Sequence, residues 1–181
     1  MSTTNHAVRY SRPVVFLHWF TLILLVAVYS FIELRELFPK GTEPRELMKT
    51  IHYMLGLTVL LTVVVRLYFR ISSHAPAIRP VPHWLLHRVV QGSHLLLYAF
   101  MLGMPIAGWL MLSAAGKPVP FYGLELPLLL AENKDLADSI KATHKTIGNV
   151  GYALIALHAL AALYHHHIRR DNTLLRMLPG K

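Results

Sequence analysis

Four histidines, His18, His52, His144 and His158, stand in apolar stretches long enough to cross a bilayer, two of them fourteen residues apart on the last stretch. Fourteen residues rise about 21 Å along a helix and return it to nearly the same face, so His144 and His158 point the same way at two depths. A neutral imidazole binds haem iron through one ring nitrogen. Two such ligands on opposite faces make a six-coordinate electron-transfer centre with no open position for oxygen. One helix can therefore hold two stacked haems, provided that other helices supply a second histidine at each depth.

The elements that must position these residues are membrane spans. Of 181 residues 54% are hydrophobic and only 15% charged, outside the usual balance of a soluble domain. A spanning helix needs about 20 mostly apolar residues, and four windows qualify: about Pro13 to Ile32, Ile51 to Arg70, His87 to Leu112 and His144 to Ile168. The expected fold is an all-α integral-membrane four-helix bundle, a single domain over 1–181 with no soluble domain left over. The first window carries a histidine and a tryptophan and lacks a small-residue cleavage site, so it reads as retained rather than as a cleaved signal. With no cysteine in the chain, disulfides, cysteine-ligated iron–sulfur clusters and covalent c-type haem attachment are excluded.

The net charge of +9 could suggest nucleic acid, but its placement argues against that partner. Glu33 to Lys49 holds four acids and four bases, and Lys117 to Lys145 again four of each. The surplus falls on Arg9, Arg12, Arg66, Arg70, Arg79, Arg88, Arg169, Arg170, Arg176 and Lys181, against the single acid Asp171. Positive charge stays on the cytoplasmic face during insertion, so both termini and the middle loop are expected inside.

That topology sets the pairing. His18, near the start of the first span, and His158, late in a descending fourth span, both lie near the inner surface and can share one haem. His52 and His144 each open a span descending from the outer side and can share the other. Gly148 and Gly151 fall on the face of His144 and His158, and Gly56 one turn after His52. Such residues leave room for a flat macrocycle or serve close helix packing. Intramembrane ionisable residues are costly enough to point to function; interfacial, metal-binding or hydrogen-bonding roles are the alternatives.

Other residues carry weaker signals. His94 lies about as deep as His18 and rivals it for the inner iron, while His165 is two turns beyond His158 on nearly the same face; either can line a quinone pocket. His166 and His167 read as solvated, and His6, His74 and His83 as loop histidines. Arg66 and Arg70 can anchor at the inner headgroups or pair with haem propionates. Near the outer pair, Arg45, Lys49, Lys141 and Lys145 can neutralise propionates, steer a small anion or form a solvated rim with Glu46 and Asp138. Trp19 and Trp84 fit an interfacial aromatic belt. Residues 1–12 read as a polar arm, Thr42 to Thr50 as a possible extramembrane start of the second helix, Ser72 to Pro82 as a simple linker, and Gly116, Pro118, Pro120 and Gly123 as chain breaks before a helical run from Leu128 to Thr143.

The run His144-Lys145-Thr146-Ile147-Gly148-Asn149-Val150-Gly151-Tyr152, then Leu157-His158-Ala159, His165-His166 and the tail from Asp171 to Pro179, closely resembles the bacterial cytochrome b561 family. The resemblance extends to His18-Trp19, Ile51-His52 and His94-Leu95. It implies a multi-pass protein of the bacterial inner membrane with two b-type haems, His18 and His158 matching the inner ligands and His52 and His144 the outer ones. Small free-standing members include a superoxide oxidase, which passes an electron from periplasmic superoxide through the haems to ubiquinone; by carry-over, His94, His165 and Arg79 are quinone-site candidates. The outer loops sum to zero charge, a departure from what steering of superoxide would favour. No obligate protein partner is evident. The competing readings are a haem b membrane subunit linking a dehydrogenase or hydrogenase to quinone, and a histidine-lined metal carrier or sensor without haem.

Overall fold

A computed structural model describes residues 9–81 and 83–179; His6 and Lys181 lie outside them. Proline in the first turn, where the missing N–H costs nothing, starts two of the four long helices: Pro13 in α1 (Arg12–Leu34) and Pro44 in α2 (Glu43–Ser72), with a 3-10 turn (Arg35–Leu37) between them. Side chains cap the other two, α3 (Trp84–Ala114) and α4 (Lys134–His167). His83 Nδ1 accepts the Leu85 N–H at 3.3 Å, and Asn133 Oδ1 accepts the Leu136 N–H at 3.0 Å. All four helices are long and apolar enough to cross a membrane. The expected spans are therefore present, with α2 extended to Glu43 as the loop before it suggested.

The second outer loop differs from expectation. Leu128 to Asn133 is not helical; the Asn133 cap delays α4 to Lys134. The segment read as chain breaks forms a hairpin of β1 (Val119–Phe121) and β2 (Leu124–Leu126), with Val119 paired to Leu126. Tyr122 and Gly123 both take positive φ, 47° and 86°, the conformation a tight two-residue hairpin turn requires. Val119 is wholly buried and packs with Leu57 of α2 and Leu112 of α3, so the hairpin closes the end of the bundle that the charge pattern expects to lie outside.

The exterior is inverted relative to a water-soluble protein. Phe16, Ile23, Leu95, Val150 and Leu157 are 62–71% exposed, a surface suited to lipid tails and costly in water. Inside, Leu24, Val59, Val63, Leu97 and Met101 pack at mid-bundle. α1 packs on α2, α2 on α3 and α3 on α4, whereas the backbone of α4 stands off from those of α1 and α2 and meets α1 through side chains such as Tyr29 and Tyr152. That separation opens space along the face of α4 bearing His144 and His158.

Gly151 follows the packing alternative rather than leaving room for a cofactor. A side chain there would run into the Tyr29 hydroxyl and the Phe100 ring, and Tyr29 would lose its 2.7 Å bond to the Gly148 carbonyl. Gly151→Ala is expected to cost about 1–3 kcal/mol by overpacking, read as a lower Tm, while Gly92→Ala, with open space around it, leaves the Tm unchanged or raises it.

At the opposite end the N-terminal segment, the α2–α3 connection and the C-terminal tail are tied together. Tyr10 N–H donates to the Arg176 carbonyl at 3.1 Å, Trp19 Nε1–H to the Met177 carbonyl at 2.8 Å, and Arg79 N–H to Asn172 Oδ1 at 2.8 Å. Arg176, 6% exposed, donates to the Pro76 carbonyl. The connection read as a simple linker is thus held by side chains of the tail, and Trp19 serves a tertiary bond in addition to any interfacial role.

Candidate functional site

The depth argument brings together residues far apart in sequence. At the outer level the rings of His52 on α2 and His144 on α4 lie 6.4 Å apart, with planes at 76°. At the inner level the rings of His18 on α1 and His158 on α4 lie 6.2 Å apart, with planes at 72°. Two imidazoles gripping one metal from opposite sides, each nitrogen about 2 Å from it, have ring centres about 6 Å apart. Both pairs match that span.

Hydrogen bonding supports the same use of the outer pair. His52 Nδ1 lies 2.9 Å from the Val28 carbonyl; a carbonyl only accepts, so Nδ1 carries the proton and Nε2 is left with its lone pair. This is the arrangement that orients a metal-bound histidine and raises its basicity. His144 Nδ1 is buried without a partner among the described residues, an orphan that such a buried polar group rarely remains unless something is missing beside it. Around the pair is a cavity of about 910 Å³, with Gly56, Gly108 and Gly148 in its walls, inside the range of about 300–1,000 Å³ usual for small-molecule and cofactor sites. The residues present fit a haem.

The inner level holds a third imidazole. The His94 ring on α3 is 5.5 Å from that of His158, so the expected rivalry with His18 is real in space. Arg66 Nη2 donates to His18 Nδ1 at 2.9 Å. His165, 4% exposed, bonds at 2.5 Å through Nδ1 to Oδ2 of the equally buried Asp171. Burial pushes the Asp171 carboxyl up, but hydrogen bonds from Thr173 and His165 outweigh it and hold the group below the usual carboxylate range. Arg79 is exposed on the α2–α3 connection with its backbone bonded to Asn172. Asp171, the lone acid of the basic end, is the signal in the sequence for this partnership.

Of the outer cations, Arg45 is 7% exposed and spent on structure: it grips Glu36 at 2.9 and 3.0 Å and the carbonyls of Arg35 and Phe38. Lys49 pairs with Glu46 at 2.6 Å. Lys40, Lys117, Lys141 and Lys145 line the cavity with no ion-pair partner among the described residues. Glu33, Glu36 and Asp138 also line it, whereas Glu125, Glu132 and Asp135 do not. The loops are neutral in sum, yet more of their cations than of their acids face the cavity, which is left positive.

Imidazoles facing one another at two levels across four apolar helices are the architecture of a b-type membrane cytochrome. A family model described as prokaryotic cytochrome b561 matches residues 9–180. Cytochrome b561 homolog 1 of Escherichia coli (strain K12) is 37% identical over 173 residues, covering 96% of this chain and 98% of the relative. The protein named probable superoxide oxidase CybB of Yersinia pestis is 36% identical over 173 residues, covering 96% and 97%. Cytochrome b561 homolog 2 of E. coli is 27% identical over 179 residues, covering 98% and 95%. The chain belongs to the prokaryotic cytochrome b561 family, multi-pass haem b proteins of the bacterial inner membrane that transfer electrons across it.

Proposed function

We propose that the chain holds two haem b groups, one between His52 and His144 and one between His18 and His158, and carries electrons from periplasmic superoxide to ubiquinone. The observation that carries this reading is the repetition of one ring geometry, 6.4 Å and 6.2 Å, at two levels of one helix. Haem in such sites supplies one-electron transfer at a six-coordinate iron closed to oxygen. The basic end, where both termini meet the α2–α3 connection, faces the cytoplasm.

The chain's own residues do the rest. The Val28 carbonyl holds His52 in the tautomer that offers Nε2, and the hairpin covers the outer end through Val119. Lys117, Lys141 and Lys145 draw a small anion to the cavity, which answers the zero sum of the outer loops. Two superoxide anions each give up one electron and leave as dioxygen; the quinone takes both electrons and two protons from the inner side. His94, His165 and Arg79 are the candidates for its binding, and of these His165 is buried and held by the Asp171 carboxylate. The relative named for superoxide oxidase supports this choice of donor.

Stopped-flow mixing of the purified holoprotein with superoxide is expected to reduce the haems, and ubiquinone to reoxidise them. Failure of both steps removes the enzymatic claim and leaves the cytochrome. Reversing Lys141 and Lys145 together to Glu is expected to slow reduction by superoxide about tenfold or more at low salt, because steering by local charge contributes that much to encounter rates. The difference shrinks as salt screens it; an unchanged rate at low salt counts against steering by these lysines.

A further inference from the structure

His52 and Arg66 are fourteen residues apart on α2, the interval that separates His144 from His158 on α4. The helix returns to the same face about 21 Å on, so α2 presents an imidazole at the outer level and a guanidinium at the inner one. The placement is borne out by contact: Arg66 Nη2 reaches His18 Nδ1 at 2.9 Å, and the guanidinium carbon lies 5.6 Å from the centre of the Tyr98 ring. Among the described residues Arg66 Nε is buried without a hydrogen-bond partner, and no carboxylate forms an ion pair with this side chain.

Among the described residues the outer level holds no buried cation without a carboxylate. Arg45, the buried cation at that end of the same helix, shares Glu36 with the half-buried Arg35, and Lys49 pairs with Glu46. Lys40, Lys117, Lys141 and Lys145 are exposed, where water and salt weaken their field. A guanidinium remains charged throughout the accessible pH range, and in a low-dielectric interior its field is felt far more strongly than at the surface.

We propose that Arg66 makes the inner haem the stronger electron acceptor of the two, so that electrons entering at the outer level run downhill to the inner one. The inference rests on the two-haem reading above. With both haems bound, one electron would pass from the outer iron to the inner one, with no bond made or broken and no proton moved. Reduction lowers the positive charge at the inner iron, and the adjacent cation stabilises that change. Each haem brings the same carboxylates, so these do not distinguish the levels; the uncompensated arginine does. If His18 held iron through Nε2, its ring proton would sit on Nδ1 and Arg66 would no longer donate there, but the guanidinium charge would stay at the inner level.

The test is a spectroelectrochemical titration of the holoprotein, with His52→Ala, which lacks the outer centre, identifying the inner signal. The inner haem is expected to have the higher midpoint potential. In Arg66→Gln the distribution of one electron between the haems is expected to shift about tenfold or more towards the outer one, about 59 mV for a one-electron couple, while Arg66→Lys shifts it by less than half as much. An inner potential at or below the outer in the unaltered protein overturns the proposal, as does an Arg66→Gln protein with both haems and the original separation. Should the Gln variant lose the inner haem, the Lys variant decides: a tenfold shift with the charge retained overturns the proposal, and an unshifted potential supports it. A single haem in the unaltered protein would instead remove the reading on which the proposal stands.

Discussion

His144→Ala is expected to bind one haem b where the unaltered chain binds two, with loss of about half the Soret absorbance. His144 is the sole described imidazole facing His52 across the outer cavity, with Gly108 of α3 beside its ring. The alanine leaves His52 oriented by Val28 but opposed by empty space. Free imidazole at millimolar concentration is expected to restore a six-coordinate spectrum by filling that space. His165→Ala, which touches neither pair, is expected to keep both haems. Retention of two six-coordinate centres in His144→Ala without added imidazole would contradict the outer assignment.

His18→Ala is expected to abolish the inner haem, and His94→Ala to leave it in place. Both rings stand close to His158, at 6.2 and 5.5 Å, so proximity alone does not choose between them. The choice rests on separation: His18 and His158, at 6.2 Å, repeat the 6.4 Å of the outer pair more closely than His94 does at 5.5 Å, while the plane angles of 72° and 71° do not distinguish the two. Haem content and the low-spin spectrum of the two variants check this directly. The reverse outcome, with His94 essential and His18 dispensable, would move the inner haem between α3 and α4 and return His18 to a hydrogen-bonding role with Arg66.

The pattern of spans and the two histidine pairs were legible in the chain because both depend on spacing. Hydropathy over about 20 residues marks a membrane crossing, and a fourteen-residue interval marks a shared helix face. Gly151 was not legible, since the same small residue serves a cofactor or a neighbouring ring, and only the approach of Tyr29 and Phe100 decides which. The β1–β2 hairpin was missed because Pro118, Pro120 and Gly123 read as interruptions, whereas positive φ at Tyr122 and Gly123 turns the chain back on itself. The α2–α3 connection has no helical period, and its order comes from Asn172 and Arg176, nearly a hundred residues away. Summed loop charge concealed the positive cavity because addition ignores direction: Lys141 faces it and Asp135 does not.

The central claim is that opposed imidazoles at two levels of one bundle each hold an iron porphyrin. The most direct measurement is haem b per polypeptide in protein expressed with ample haem supply, combined with low-temperature electron paramagnetic resonance of the oxidised protein. Two equivalents, both low-spin and bis-histidine, are predicted, with the outer signal missing from His144→Ala and the inner from His18→Ala. One equivalent per chain, or a high-spin centre with an open position, would contradict it.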